Sequence, residues 1–129
     1  MKAVKVTLSG QDYYLAFTGE AMFAFEDAFG GSNAYFEQAA DNSRDAFGAV
    51  CKAAAILAEQ GEPARRAMGY NKGPIPTEEM LAACSTPADL LRLRQANLTA
   101  IIAGYGREVE ADDAVDLDLA ELDQKQGKN

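Results

Sequence analysis

A strand that passes directly into a helix constrains the fold of this chain most. Residues 13–31 hold six of the chain's eleven aromatic residues. The aromatic residues 13–17 predict a strand, and the polar joint Thr18–Gly19 opens a helix that Gly30 should end. None of these residues is chemically reactive, so the stretch is interpreted as an aromatic core element. The side chains expected to be buried are Phe17, Met22, Phe25 and Phe29.

The first residues predict a partner strand for this stretch. Residues 2–8 alternate, with Val4, Val6 and Leu8 on one side. Residues 9–12 have turn composition, and Gly10 can adopt positive φ. The two strands should form an antiparallel hairpin. Because a lone hairpin is marginal in water, it must lie on an apolar surface or pair with another chain, which leaves self-association open.

Helical periodicity dominates the rest of the chain up to residue 106. Ser32 should cap a short helix over 32–40, and Ser43 a longer one that Gly61 closes, with one or two more turns over 62–68. Residues 69–76 have loop composition, and Thr77 begins another short helix. The long helix should be amphipathic through Phe47, Val50, Cys51, Ala54, Leu57 and Ala58.

The last helix has the best-marked start in the sequence. Thr86 is the expected cap, with Pro87 at the first helical position and Asp89 two residues later. Its apolar stripe is predicted to comprise Leu90, Leu91, Leu98, Ile101, Ile102 and Tyr105. The expected fold is therefore mainly α with a short N-terminal β-hairpin (α+β), a small bundle of four to six helices.

Charge divides the chain into two parts. The net charge is −8, and residues 107–129 contain eight acidic and three basic residues without any aromatic residue. We therefore predict a helical domain over 1–106 and an acidic, disordered tail over 107–129. An acidic chain should avoid nucleic acid and acidic membranes, since binding to phosphates depends on clustered Lys and Arg.

The absence of a signal peptide and of a long apolar stretch predicts a cytoplasmic protein.

The residues that usually carry catalysis or bind metals are scarce. The chain has no histidine, and its two cysteines, Cys51 and Cys84, have no neighbouring ligands. We expect two reduced thiols on apolar helix faces, with a disulfide left open. Glu20 and Asp27 share a helix face, where solvation is the simplest interpretation. We therefore predict no catalytic residue, no cofactor and no metal.

Four residues before the tail are candidates for partner contacts. Phe23 lies on the opposite side of its helix from the buried stripe. Arg65 and Arg66 form the one adjacent basic pair, which is either solvated or a contact point. Arg94 falls inside the apolar stripe of the last helix. Either its stem packs while its guanidinium reaches solvent or a neighbouring acid, or it meets an acidic partner.

The tail adds a second kind of interaction signal. Val115, Leu117 and Leu119 alternate with acidic residues, and Leu122 follows. Such a segment can add as a strand to a sheet edge, while Leu119 and Leu122 could instead line one face of a helical turn. A plain solubilising extension explains the composition equally well.

Several short motifs follow one another along the chain. They are Gly10, Tyr13, Leu15, Phe17 and Thr18 at the hairpin, Ala21, Glu26 and Gly30 in the first helix, Gly69 with Tyr70, and Thr77, Glu79 and Leu81. Their order resembles that of the tail assembly chaperones of long-tailed bacteriophages, with their prophage and gene-transfer-agent relatives. The resemblance covers roughly residues 2–106, and both the region from Phe29 to Gly61 and the acidic tail are longer than in compact members.

The resemblance implies a non-enzymatic helper in the cytoplasm of a bacterial host. Its partners would be the long tape-measure protein, which it keeps soluble, and the tail-tube protein, which it helps to recruit. The alternative is a structural tail component, a tube or completion protein of a phage or prophage virion.

Overall fold

Five helices and one three-stranded sheet make up the part of the chain that the computed structural model describes, residues 2–67, 75–106 and 114–116. The predicted mainly helical fold with an N-terminal hairpin is confirmed. The elements are β1 (Lys2–Leu8), β2 (Gln11–Leu15), α1 (Gly19–Phe29), α2 (Ser32–Gln38), α3 (Arg44–Ala67), α4 (Glu78–Cys84), α5 (Pro87–Gly104) and β3 (Ala114–Asp116).

The hairpin closes through a two-residue turn. β1 and β2 pair antiparallel, with Val6 opposite Tyr13. Ser9 and Gly10 have φ angles of 51° and 79°, the positive values that a tight hairpin turn requires. The predicted inward side of β1 is buried, since Val4, Val6 and Leu8 are all at most 6% exposed.

A third strand pairs with the other edge of β1. β3 runs antiparallel to β1, with Val115 opposite Ala3, and the sheet order is β2-β1-β3. The three residues of β3 belong to the acidic stretch 107–129. They add a strand to the edge of the sheet that the hairpin of the same chain forms. The other residues of that stretch lie outside the described residues, so the division of the chain at residue 106 stays a prediction.

Most helix starts follow the predicted caps. The side chains of Thr18, Ser43 and Thr86 accept backbone N–H groups three residues further on, at 3.1–3.2 Å. In return, the N–H of Thr86 donates to the carboxylate of Asp89 at 3.1 Å, which completes a capping box. Ser32 is different, because it is the first residue of α2 and makes no capping bond.

Helix α3 continues beyond the predicted end at Gly61. A Cβ atom on Gly61 would lie 1.9 Å from the carbonyl oxygen of Tyr14, so this glycine serves the close approach of α3 to β2. Next to it, the N–H of Ala16 donates to the carbonyl of Leu57 at 3.0 Å. The helix also passes through Pro63, and Ala64 is buried beneath the sheet with Tyr14. Contact with the sheet therefore outweighs the local stop signals.

The core is aromatic at one end and rich in alanine elsewhere. The rings of Phe17 and Phe25 meet edge to face with centroids 5.4 Å apart, and Tyr35 lies 5.3 Å from Phe25. Phe29 is partly buried against this cluster. The prediction for Met22 was wrong, because its side chain is 36% exposed and α1 turns only Ala21 and Phe25 fully inward.

Candidate interaction surfaces

Helix α5 turns its predicted apolar stripe away from the core. The residues that it buries are mostly small or polar, including Ala96, Ala100 and Asn97, together with Leu93. Leu91 is 47% exposed and Tyr105 is 54% exposed. At about 100° per residue the buried face lies roughly a third of a turn away from the predicted stripe. Of that stripe, only Ile101 is fully buried.

Close backbone contact explains this orientation. A Cβ atom on Gly104 would lie 2.5 Å from the carbonyl oxygen of Phe17, so the end of α5 approaches the strand-to-helix joint closely. The small side chains of Ala96, Ala100 and Ala103 lie on the same buried side of α5. Large residues such as Leu98 and Ile102 would hold the helix further away, and they are only half-buried.

The buried side chain of Asn97 fixes the same orientation of α5 through two hydrogen bonds. The side-chain amide of Asn97 donates to the carbonyl of Val50 at 3.1 Å and to the hydroxyl of Tyr35 at 3.0 Å. Burial raises the pKa of Tyr35 to about 12, although the bond from Asn97 and the charge of Arg94 act in the opposite direction. Asn97 thus ties α5 to both α2 and α3.

The outward side of α5 forms an apolar ridge. We define the α5 ridge as Leu91, Leu98, Ile102 and Tyr105. These residues follow i, i+7, i+11 and i+14, and extend about 21 Å along the helix at 1.5 Å per residue. Such a line of side chains has the spacing that a second helix contacts when it packs alongside.

An open groove runs between the end of the ridge and α2. Its volume is about 490 Å³, and its lining contains no charged side chain. The hydroxyls of Ser32 and Tyr105 lie 2.9 Å apart across one end. The residues that line this α2–α5 groove are Ser32, Asn33, Phe36, Ile101, Ile102 and Tyr105.

The charges on α5 are compatible with an apolar contact. Asp89 is the one acidic residue of α5. It is buried in the first turn of the helix, at the end away from the α2–α5 groove. The N–H of Thr86, donating to its carboxylate, holds the pKa of Asp89 below its ordinary value. Further bonds come from the hydroxyl of Ser9 at 3.3 Å and the guanidinium of Arg92 at 3.1 Å. The ridge therefore carries no exposed carboxylate in an otherwise acidic chain.

Arg94 holds the connection between α2 and α3. Its guanidinium donates to the carbonyl of Asp41 at 2.8 Å and to the side-chain oxygen of Asn42 at 2.9 Å. It also lies over the ring of Phe47, 5.5 Å from the centroid. Arg94 therefore has a structural role, but its acceptors are a backbone carbonyl and an amide rather than the solvent or the neighbouring acid of the sequence-based alternative. A contact between Arg94 and an acidic partner stays a prediction.

The other candidate residues lie on different elements. Phe23 is 61% exposed on the outer side of α1, as its position in the sequence indicates. Arg66, near the end of α3, pairs with Glu62 across 3.4 Å. Val115 lies in β3, while the side chain of Arg65 and residues Leu117, Leu119 and Leu122 lie outside what the structure describes.

Sequence reasoning missed the α5 ridge as a surface, because its residues were assigned to the core. The available signal was Arg94, a charged residue in the middle of the apparent stripe. Phe36, which lies in the short helix predicted over 32–40, lines the groove as well.

The two thiols have different environments, and both are free. Cys51 is 1% exposed, and burial together with the nearby charge of Glu78 raises its pKa. The expectation of burial was wrong for Cys84, which is exposed at the end of α4. It lines a cavity of about 160 Å³ beside Ser9 and Asp89.

The described residues offer no group of three or more acidic or cysteine side chains suited to a metal ion. Among the helices in these same ranges, none is both long and apolar enough to cross a membrane.

Comparison of the chain with protein-family models, with curated proteins and with solved structures gives no match. The functional interpretation therefore depends on the residues and on the surfaces described above.

Proposed function

We propose that the protein is a non-enzymatic tail assembly chaperone of a long-tailed bacteriophage or a related particle. It would act in the cytoplasm of the bacterial host, bind the tape-measure protein and help to recruit tail-tube subunits. The order of motifs from Gly10 to Leu81 supports this proposal as a resemblance.

The single observation that carries the proposal is the α5 ridge with the adjacent α2–α5 groove. A chaperone for a long amphipathic helix needs an apolar contact surface on a body that stays in solution. Leu91 and Tyr105 are about half exposed along one helix of a chain with net charge −8. Burying a large apolar side chain contributes about 1.5–3 kcal/mol, so a few ridge contacts suffice for a reversible complex. Net charge of one sign keeps the unbound chaperone from aggregating.

Co-expression with fragments of the tape-measure protein tests this function. We expect a fragment that is insoluble alone to become soluble and to co-elute with the chaperone in size-exclusion chromatography. The variant Leu91→Lys should weaken or lose the complex, because the charge that it adds to the ridge must be desolvated on binding. Ile75→Lys is the matched control, since Ile75 is 38% exposed but does not belong to α5.

Two results would count against the proposal. In one, every fragment stays insoluble with the wild-type protein present. In the other, Leu91→Lys solubilises the fragment as well as wild type does, which would move the contact away from the ridge. Assembly of the purified protein into a ring that remains in finished tails would favour the alternative, a structural tail component.

A further inference from the structure

A second exposed surface lies on α1, and it carries acidic side chains where the α5 ridge is apolar. Phe23 projects from the outer side of this helix with 61% of its surface exposed. Glu20, Glu26 and Asp27 occupy positions i−3, i+3 and i+4 from it, and all three are exposed. We call these four residues the α1 outer face. It differs from the α5 ridge in being acidic as well as aromatic.

The fold does not account for the α1 outer face. The helix is capped at both ends without it, by the side chain of Thr18 and by Gly30 in the left-handed region. Its core contacts come from Ala21 and Phe25. Phe23 therefore leaves a large aromatic side chain in water where a polar residue would serve the helix equally well.

Two of the three carboxylates are placed against the local electrostatics, whereas Glu20 lies in the first turn, where the helix dipole favours an acid. Glu26 and Asp27 lie in the last turn of α1, where the helix dipole favours cations, and that turn contains no basic residue. No residue in the described ranges forms an ion pair with Glu20, Glu26 or Asp27. Residues that break a local rule without compensation in the fold are typical of functional surfaces.

We infer that the α1 outer face binds a basic amphipathic helix of a partner protein, with lysine or arginine side chains around an apolar residue. The apolar residue would pack on Phe23, and the basic side chains would pair with the three carboxylates. Charge complementarity selects this occupant over a second copy of the chain, because two copies of this face would bring six carboxylates together. The inference goes beyond the proposed function, since it uses another surface and a partner of another chemistry.

Two synthetic peptides test the inference directly. Both are amphipathic helices of about 18 residues with the same Leu and Phe positions, long enough to form a helix on binding. One carries Lys on its polar positions and the other carries Glu. Fluorescence anisotropy with the full chain should show binding of the Lys peptide only. Its affinity should fall several-fold between roughly 50 and 300 mM NaCl, since exposed ion pairs are screened.

Substitutions on two helices locate the contact. We expect Phe23→Ala to weaken binding of the Lys peptide by about 30-fold, as for a central aromatic contact residue. Ile75→Ala is the control, because it removes an exposed apolar side chain that belongs neither to α1 nor to the α5 ridge. The inference is overturned if Phe23→Ala binds like wild type, or if Ile75→Ala weakens binding as much.

A stability measurement separates a binding role from a structural one. The double variant Glu26→Gln with Asp27→Asn should lose most of the salt dependence of binding. Its thermal midpoint should be equal to that of wild type or slightly higher, because two unfavourable charges leave the helix end. A lower midpoint would show that the carboxylates serve the fold, and would overturn the inference. Neither result depends on a tape-measure fragment, so this test and the co-expression test can fail independently.

Discussion

Helices α3 and α5 present the same kind of sequence pattern and use it in opposite ways. The apolar stripe of α3 points inward, with Val50, Cys51, Ala54 and Leu57 at most 1% exposed. The corresponding large residues of α5 line an outer ridge, and Leu91 is 47% exposed. Both helices pack against the sheet and against each other, so the difference does not arise from their position in the fold.

Small residues, rather than large apolar ones, decide which side of these helices is buried. Gly61 lets α3 touch the backbone of β2, and Gly104 lets α5 touch the backbone at Phe17. Close backbone contact stabilises the packing, because a bulky residue at either position would push the helix away and leave unfilled space beside it. A stripe of large residues can then remain outside and become a contact surface.

The largest effect should come from Gly61→Ala in α3. The new Cβ atom would lie 1.9 Å from the carbonyl oxygen of Tyr14, so the helix must leave the sheet. We expect a loss of about 4 kcal/mol or more in the free energy of unfolding, on the scale of the largest single substitutions. The gain in helix propensity, about 1 kcal/mol, is too small to offset this loss.

Gly48→Ala is the matched control within the same helix. A Cβ atom on Gly48 has no neighbour within 4 Å, so here the propensity term acts alone. We expect a gain of about 0.5–1 kcal/mol. Urea unfolding of the two variants checks both signs. Equal effects would show that α3 does not rely on close contact at Gly61.

The next largest loss of stability should come from the buried side of α5, and two nearby leucines distinguish that side from the exposed one. Leu93 is 1% exposed, and Leu93→Ala should cost about 3 kcal/mol through lost burial and a cavity. Leu91 lies two residues away and is 47% exposed, and Leu91→Ala should change stability by about 0.5 kcal/mol or less. Chemical denaturation measures both. If Leu91→Ala were the more harmful substitution, the predicted stripe would be the buried one after all.

The smallest effect concerns the acidic residue at the start of α5. Hydrogen bonds hold the pKa of Asp89 below the unfolded value of about 3.9, so the unfolded chain binds this proton more readily. The resulting stabilisation is present above about pH 4 and is lost as the pH falls through the lower, folded-state pKa. The thermal midpoint of Asp89→Asn should therefore be lower than that of wild type at pH 7, and the difference should narrow below about pH 4. A difference that stays constant on acidification would show that the charge contributes nothing.

Local features of the fold could be predicted because neighbouring residues decide them. The caps at Thr18, Ser43 and Thr86 and the end of α1 at Gly30 are as expected. The hairpin turn lies within the predicted residues 9–12 but is shorter, so β2 begins at Gln11 and ends at Leu15, two residues before Phe17. Each depends on residues within about four positions of one another. Their bonds do not require knowledge of the rest of the chain.

The orientation of α5 could not be predicted in this way. It depends on the bonds of Asn97 to residues 47 and 62 positions away along the chain. The continuation of α3 past Gly61 likewise depends on where β2 lies. For the candidate surfaces, the exposure of Phe23 follows from the helical wheel alone. The α2–α5 groove forms only where two helices meet, so the sequence shows its residues as parts of two separate helices and not as one surface.

The unequal burial of the two cysteines has a practical consequence. Cys51 is enclosed in the core, whereas Cys84 lies at the surface beside the hairpin turn and the start of α5. A maleimide dye added to the native wild-type chain should therefore attach at one position only, without any engineered residue. Its emission would report on the junction between the sheet and α5, so unfolding and partner binding can be followed in the unmodified sequence.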